Sequence, residues 1–210
     1  MRKTNWILRE ILYRVYERGE SFMSQRSVAE SCGCSLDAVN RMVSRLEGFG
    51  GVERKPFGFR ILQPKKILTY WAATRNLWAD LVYSTYSPEP AEEILRRLSG
   101  DYLPTSFWGC REKFQDLPPV ERIHVYGPPE KARALFPPKE AEPNLFVFKM
   151  DPHLSKVSPK GIPLIQLYVD LWQLGEPLAE RYLMRVEETL ERRVLESFKR
   201  LVSSFKEGGA

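Results

Sequence analysis

The stretch Ser35-Leu36-Asp37-Ala38-Val39-Asn40-Arg41-Met42-Val43-Ser44-Arg45-Leu46 sorts its side chains into two sets at helical spacing. Leu36, Val39, Met42, Val43 and Leu46 make an apolar stripe, which leaves Asp37, Asn40, Arg41, Ser44 and Arg45 outward. The outward set suits the major groove of DNA: asparagine pairs with adenine's edge, arginine with guanine's, and serine with bases or phosphates. Ser35 caps this helix and belongs to the same candidate set. Asp37 opposes the approach of phosphate and is expected to stabilise the helix N-terminus instead. Further on, Arg54, Lys55 and Arg60 flank Pro56-Phe57-Gly58. These cations would contact phosphates or an adjacent minor groove, giving affinity with little sequence information. The same polar residues also fit the solvated face of a surface helix.

Other chemistry finds little support. Cys32, Cys34, Cys110, His124 and His153 lack the paired spacing of a zinc site, and Cys32 falls on an apolar helix position. His124 lies within a strand-like alternation, and His153 follows Asp151-Pro152 without an evident partner set. There is no phosphate-cradling glycine motif, no H-E-x-x-H and no closely spaced carboxylate pair for two magnesium ions. The expectation is a protein that is not an enzyme and carries no cofactor or metal.

The elements that must position the polar face are legible around it. Ile7, Leu8, Ile11, Leu12 and Val15 predict an amphipathic helix over 4–18 that ends at Gly19. Ser24 caps a second helix, with Val28, Ala29 and Cys32 inward, which stops at Gly33. The third helix starts at Ser35, and Gly48, Gly50 and Gly51 end it. Residues 52–55 and 59–62 then read as a β-hairpin around Gly58, with Pro64 closing the module. Small Ala29, the Gly33 turn and the buried Val39 and Val43 resemble the helix-turn-helix of winged-helix transcription regulators, and the following hairpin resembles their wing. That likeness covers about 60 residues.

Beyond Pro64, helical and strand-like segments alternate. Helices are expected at 66–78, 88–98, 104–114 and 129–135, with strands at 81–86, 122–126 and 144–150. Leu183, Val186, Leu190, Val194, Phe198, Leu201 and Phe205 form one stripe on a long helix from near Pro177. Between them, Gln166, Tyr168 and Asp170 alternate with Leu167, Val169 and Leu171, although helical packing of Leu164, Leu167, Leu171 and Leu174 explains the same residues. In that second reading Asp170 holds a loop or an arginine. Thr105-Ser106-Phe107-Trp108-Gly109, the strands at 122–126 and 144–150, and Pro163 to Trp172 together resemble the C-terminal domain of the antitoxin of AbiE-type, type IV toxin–antitoxin systems. The resemblance covers roughly residues 67–195. It implies a repressor that binds inverted repeats in its own promoter while its other domain counteracts a nucleotidyltransferase-like toxin.

The expected architecture is therefore α+β: a winged helix-turn-helix domain over 1–65, then a mixed α+β domain over 66–210 with a long C-terminal helix. Charge divides along the same line. Residues 1–66 hold 13 Lys/Arg against 7 Asp/Glu, whereas residues 67–210 hold 19 against 20. A basic module beside a nearly neutral one points to a polyanion partner for the first only. Three cysteines fit a reducing compartment, and no apolar run approaches a bilayer span, so a cytoplasmic protein without membrane contact is expected. The leading expectation is a sequence-specific regulator that binds double-stranded DNA, an antitoxin-type autorepressor with a cognate toxin. Two-fold operators further imply a homodimer or two chains side by side. The alternatives are a small-molecule-sensing regulator, with Trp71, Trp78, Trp108 and Trp172 lining a pocket, and a nucleotidyltransferase-like enzyme targeted to nucleic acid.

Overall fold

Apolar residues at three- and four-residue spacing wind Lys3–Arg18 into a helix, α1, that buries Ile7, Leu8, Ile11, Leu12 and Val15. The computed structural model describes residues 3–207, with side-chain surroundings given to Glu196. A two-residue strand, β1 (Phe22–Met23), leads to α2 (Gln25–Cys32). The Ser24 hydroxyl accepts from the Ser27 amide at 3.1 Å and so satisfies one free donor of the α2 first turn. Gly33 ends α2 at φ 54°, where any other L-residue would cost about 1–2 kcal/mol. Ser35 then caps α3 (Leu36–Gly48) by accepting from the Ala38 amide at 3.2 Å.

After α3 comes a hairpin of β2 (Val52–Lys55) and β3 (Gly58–Ile61). Together with β1 it forms an antiparallel sheet of order β1-β3-β2. Pro56 and Phe57 make the two-residue turn, with Phe57 at φ 68°. Gly58 is required by space: a Cβ there would stand 2.3 Å from the Met23 carbonyl oxygen and push β1 off β3. Next, α4 (Pro64–Thr74) buries Ile67, Leu68, Trp71 and Ala72, and the Trp71 indole donates to Asn5 Oδ1 at 3.1 Å.

The chain divides into two compact units. One runs over Thr74–Leu183; the other joins residues up to Ala73 with those from Met184 onwards. The boundary expected between Lys65 and Lys66 falls inside α4, which up to Ala73 belongs to the same unit as α1 and whose Trp71 donates to Asn5 of that helix.

The Thr74–Leu183 unit starts with a short 3-10 turn (Trp78–Asp80), then β4 (Leu81–Thr85) and α5 (Ala91–Leu98). These are followed by β5 (Leu103–Pro104), α6 (Ser106–Arg111), β6 (Ile123–Tyr126) and α7 (Pro129–Leu135). Then come β7 (Leu145–Phe148), α8 (Pro152–Val157) and α9 (Leu164–Trp172). The sheet order is β4-β7-β6-β5, with β6 and β7 parallel and both outer pairs antiparallel. All four residues of β6 are buried, as expected of a central strand covered on both faces.

The long helix α10 (Pro177–Glu207) begins where expected and buries Leu183, Val186 and Leu190, with Val194 half-buried. Phe198, Leu201 and Phe205 lie outside the residues whose side chains are described. The α+β class and the long final helix match the reading of the sequence. Several boundaries do not. The helix expected over 66–78 stops at Thr74, that over 104–114 shrinks to Ser106–Arg111, and β1, β5 and α8 went unread. Residues 164–172 are helical, so the alternation around Asp170 marks no strand.

Candidate nucleic-acid interface

The polar face of α3 is open. Val39, Met42, Val43 and Leu46 are buried, while Asn40, Arg41, Ser44 and Arg45 are exposed on the same helix. The helix is held from below by α1 and α2. Arg14, only 8% exposed, pairs with Glu10 at 2.7 Å and donates to the Ser27 and Ser31 hydroxyls, each at 2.8 Å. This cross-link ties α1 to α2 and was not read from the sequence. An arginine inside an amphipathic helix carries no local signal that it will be buried.

Each side chain of the candidate face has a defined partner. The Arg41 guanidinium donates to Asp37 one turn earlier, and Arg45 Nη1 donates to the Tyr70 hydroxyl at 3.1 Å. Both arginines remain exposed, and pairs of this kind are held weakly enough to exchange for a ligand. Asp37 does sit in the first turn of α3, where a carboxylate favours the helix dipole.

The hairpin residues are not equivalent. Lys55 is exposed and paired with Glu53 at 2.7 Å, and Arg60 is exposed with no ion pair or hydrogen bond among the described residues. Arg54 turns back onto α3. Its Nη1 donates to Asn40 Oδ1 at 2.9 Å, its Nη2 to the Asn40 carbonyl oxygen at 3.3 Å and to the Ser44 hydroxyl, and its Nε to Glu47 at 3.0 Å. The structure therefore brings Asn40, Ser44 and Arg54 together. Ser35 serves as the α3 cap, and Lys55 and Arg60 stand on the hairpin strands.

A shallow concavity of about 320 Å³ lies between the start of α2 and the hairpin, lined by Arg26, Arg54 and Lys55 with Ser24, Gln25 and Phe57. Arg26 was missed, although an exposed arginine in the first turn after a serine cap follows the logic that picked the others. Phe57 was missed as a surface feature. It is 96% exposed at the tip of the hairpin, in a left-handed conformation that phenylalanine rarely adopts.

The residues considered for catalysis or metal binding are placed elsewhere. His124 is fully buried, ringed by Trp78, Phe107, Phe146 and Phe148 at centroid distances of 5.2–6.1 Å. Neither ring nitrogen has a hydrogen-bond partner, and burial, with Arg122 nearby, pushes its pKa down to about 3. Cys32, Cys34 and Cys110 are free thiols; burial raises all three pKa values, that of Cys32 to about 12. Among the described residues no group of three or more His, Cys, Asp or Glu is placed to hold a metal ion. Asp170 is fully buried. It accepts from Thr105 and Tyr126, each at 2.7 Å, and from Gln166 at 2.8 Å, while Arg75 lies 3.4 Å away. Arg75 also donates to Asp80 and to the Tyr126 hydroxyl, both at 3.0 Å. Asp170 thus holds an arginine inside the core.

No protein-family model matches the chain, and no curated protein matches it. Among the described residues no helix is long and apolar enough to cross a membrane.

Proposed function

We propose that the unit built on α1 to α3 and the hairpin is a winged helix-turn-helix module. In this reading the chain is a sequence-specific transcription regulator that binds double-stranded DNA. The observation that carries it is the open face of α3: Asn40, Arg41 and Arg45 are exposed together on a helix whose other side is buried, with exposed Lys55 and Arg60 on the adjacent hairpin. Hydrogen-bonding groups on a rigid helix can read base edges, and flanking cations hold the backbone. The excess of Lys and Arg over Asp and Glu within residues 1–66 supports the same partner.

Autorepression of an antitoxin type, with a nucleotidyltransferase-like toxin as second partner, is the biological setting we propose, and it rests on the likeness of the Thr105 to Trp172 segments. Of the four tryptophans considered for a small-molecule pocket, two are packed away: Trp71 is a core residue, and Trp108 is buried and donates to the Val120 carbonyl at 2.8 Å. The buried, low-pKa His124 likewise supports a binding protein over an enzyme that uses this group as its base.

Footprinting of the full chain on its own upstream DNA across a salt series tests the proposal. A discrete protected site is expected, made of two half-sites about 34–36 Å apart or a multiple of that. Uniform, weak coverage that vanishes with salt would reduce the reading to non-specific polyanion binding.

A further inference from the structure

Asparagine in a groove-reading helix ordinarily pairs with adenine through both ends of its amide, accepting from N6 and donating to N7. In Asn40 one of the two acceptor sites of Oδ1 is already engaged. A guanidinium has donors and no acceptor, so the contact with Arg54 at 2.9 Å fixes the Asn40 amide with Oδ1 towards Arg54 and Nδ2 away from it. Arg54 is itself held from behind by Glu47, through Nε at 3.0 Å and through its own backbone amide at 3.2 Å. The Ser44 hydroxyl joins the same knot: it donates to the Asn40 carbonyl oxygen at 3.1 Å and accepts from Arg54. Asn40 Nδ2 has no hydrogen-bond partner among the described residues, and Arg41 and Arg45 are exposed on the same helix.

We infer that Arg54 is a specificity-determining residue that converts Asn40 from an adenine reader into a donor selecting guanine. Guanine shows two acceptors, N7 and O6, in the major groove, whereas adenine places an amino donor where O6 would be. Where Asn40 Nδ2 and a neighbouring guanidinium meet one base, these donors are matched by the first edge and opposed by the second. The inference rests on the DNA-binding reading above, and Arg54 acts through Asn40, as a positioning residue.

The test is selection from a random duplex pool, followed by sequencing, with the full chain and the variants Asn40→Ala, Arg54→Met and Asn40→Asp. The base pair whose preference relaxes in Asn40→Ala defines the Asn40 position. Guanine is expected there for the wild type, and Arg54→Met should raise the adenine-to-guanine ratio about tenfold by freeing Oδ1. Asn40→Asp, nearly isosteric and independent of whether Arg54→Met folds, should abolish the guanine preference in favour of cytosine, whose N4 is a donor. Adenine at that position in the wild type, no position relaxed by Asn40→Ala, or an unchanged ratio in a folded Arg54→Met would overturn the inference and leave DNA binding standing. Failure of the wild type to enrich any site would remove the DNA reading itself, and this inference with it.

Discussion

At the scale of single residues, the exposed and buried ion pairs do different work. Arg41 and Asp37 are 70% and 67% exposed, so their pairing contributes at most about 1 kcal/mol and is easily surrendered to a ligand. Arg41→Ala should therefore leave the melting temperature nearly unchanged. On DNA it should cost about 1–3 kcal/mol and relax preference at one base pair, provided that the guanidinium is bidentate to guanine. Lys55→Ala should instead weaken binding to every sequence and flatten the logarithmic salt dependence by about one unit; equal slopes for mutant and wild type would place Lys55 off the phosphates. His124 gives a prediction about stability. Its folded pKa of about 3 lies below the ordinary 6.5, so the unfolded chain binds the proton more readily between these values. The stability contributed by neutral His124 is complete above pH 6.5 and is lost as pH falls towards 3, at up to about 1.4 kcal/mol per pH unit. His124→Leu should remove that slope and, by deleting two unpartnered buried nitrogens, raise stability at neutral pH by about 1–2 kcal/mol. Denaturant melts at a series of pH values would show both effects.

At the scale of elements, local signals were strongest where a single chemical device decides a boundary. Ser24, Gly33, Ser35 and Gly58 each announce a cap or a turn in the sequence, and α2, α3 and the hairpin follow from them. By contrast β1 and β5 are two residues long and exist only because a distant strand pairs with them, a long-range cause that no local pattern reports. Asp170 was legible as the holder of a loop or an arginine, but that it would be an arginine, and Arg75, depended on the fold bringing the two together. The face of α3 was legible residue by residue; that Arg54 would reach across from the hairpin to Asn40 was not. The hairpin tip carries its own prediction. Phe57 holds φ at 68° while 96% exposed, so it pays for strain without burying its ring. Phe57→Gly should stabilise the fold by about 1 kcal/mol, since glycine takes that conformation freely. A simultaneous loss of DNA affinity would show that the ring is retained for contact with the ligand, whereas unchanged affinity would show that it is not.

At the scale of the whole molecule, the division of the chain matters most for what can be separated from it. The unit that carries α3 includes α4 and the part of α10 from Met184 onwards. Lys65 pairs with Glu187 at 2.6 Å and Glu191 at 2.7 Å, contacts that hold its pKa above the ordinary lysine value, and Arg193 pairs with Glu17. The exposed lysine pairs add little, but Val186 and Leu190 are almost wholly buried. Burial of each is worth about 1.5–3 kcal/mol, a large share of the 5–15 kcal/mol by which a domain is stable. A fragment of residues 1–65, which the sequence alone would choose as the DNA-binding domain, lacks these side chains and Trp71, all buried residues of the same unit. We expect that fragment to melt well below the full chain and to bind DNA more weakly at the same temperature. Leu190→Ala in the full chain should lower stability by about 2–4 kcal/mol although the residue lies 145 positions from Arg45 in sequence. Hydrogen exchange locates the effect: amides of α1 and α4 should lose protection in Leu190→Ala. If protection is lost only within Thr74–Leu183, the C-terminal helix supports the other unit and residues 1–65 are the better module to isolate.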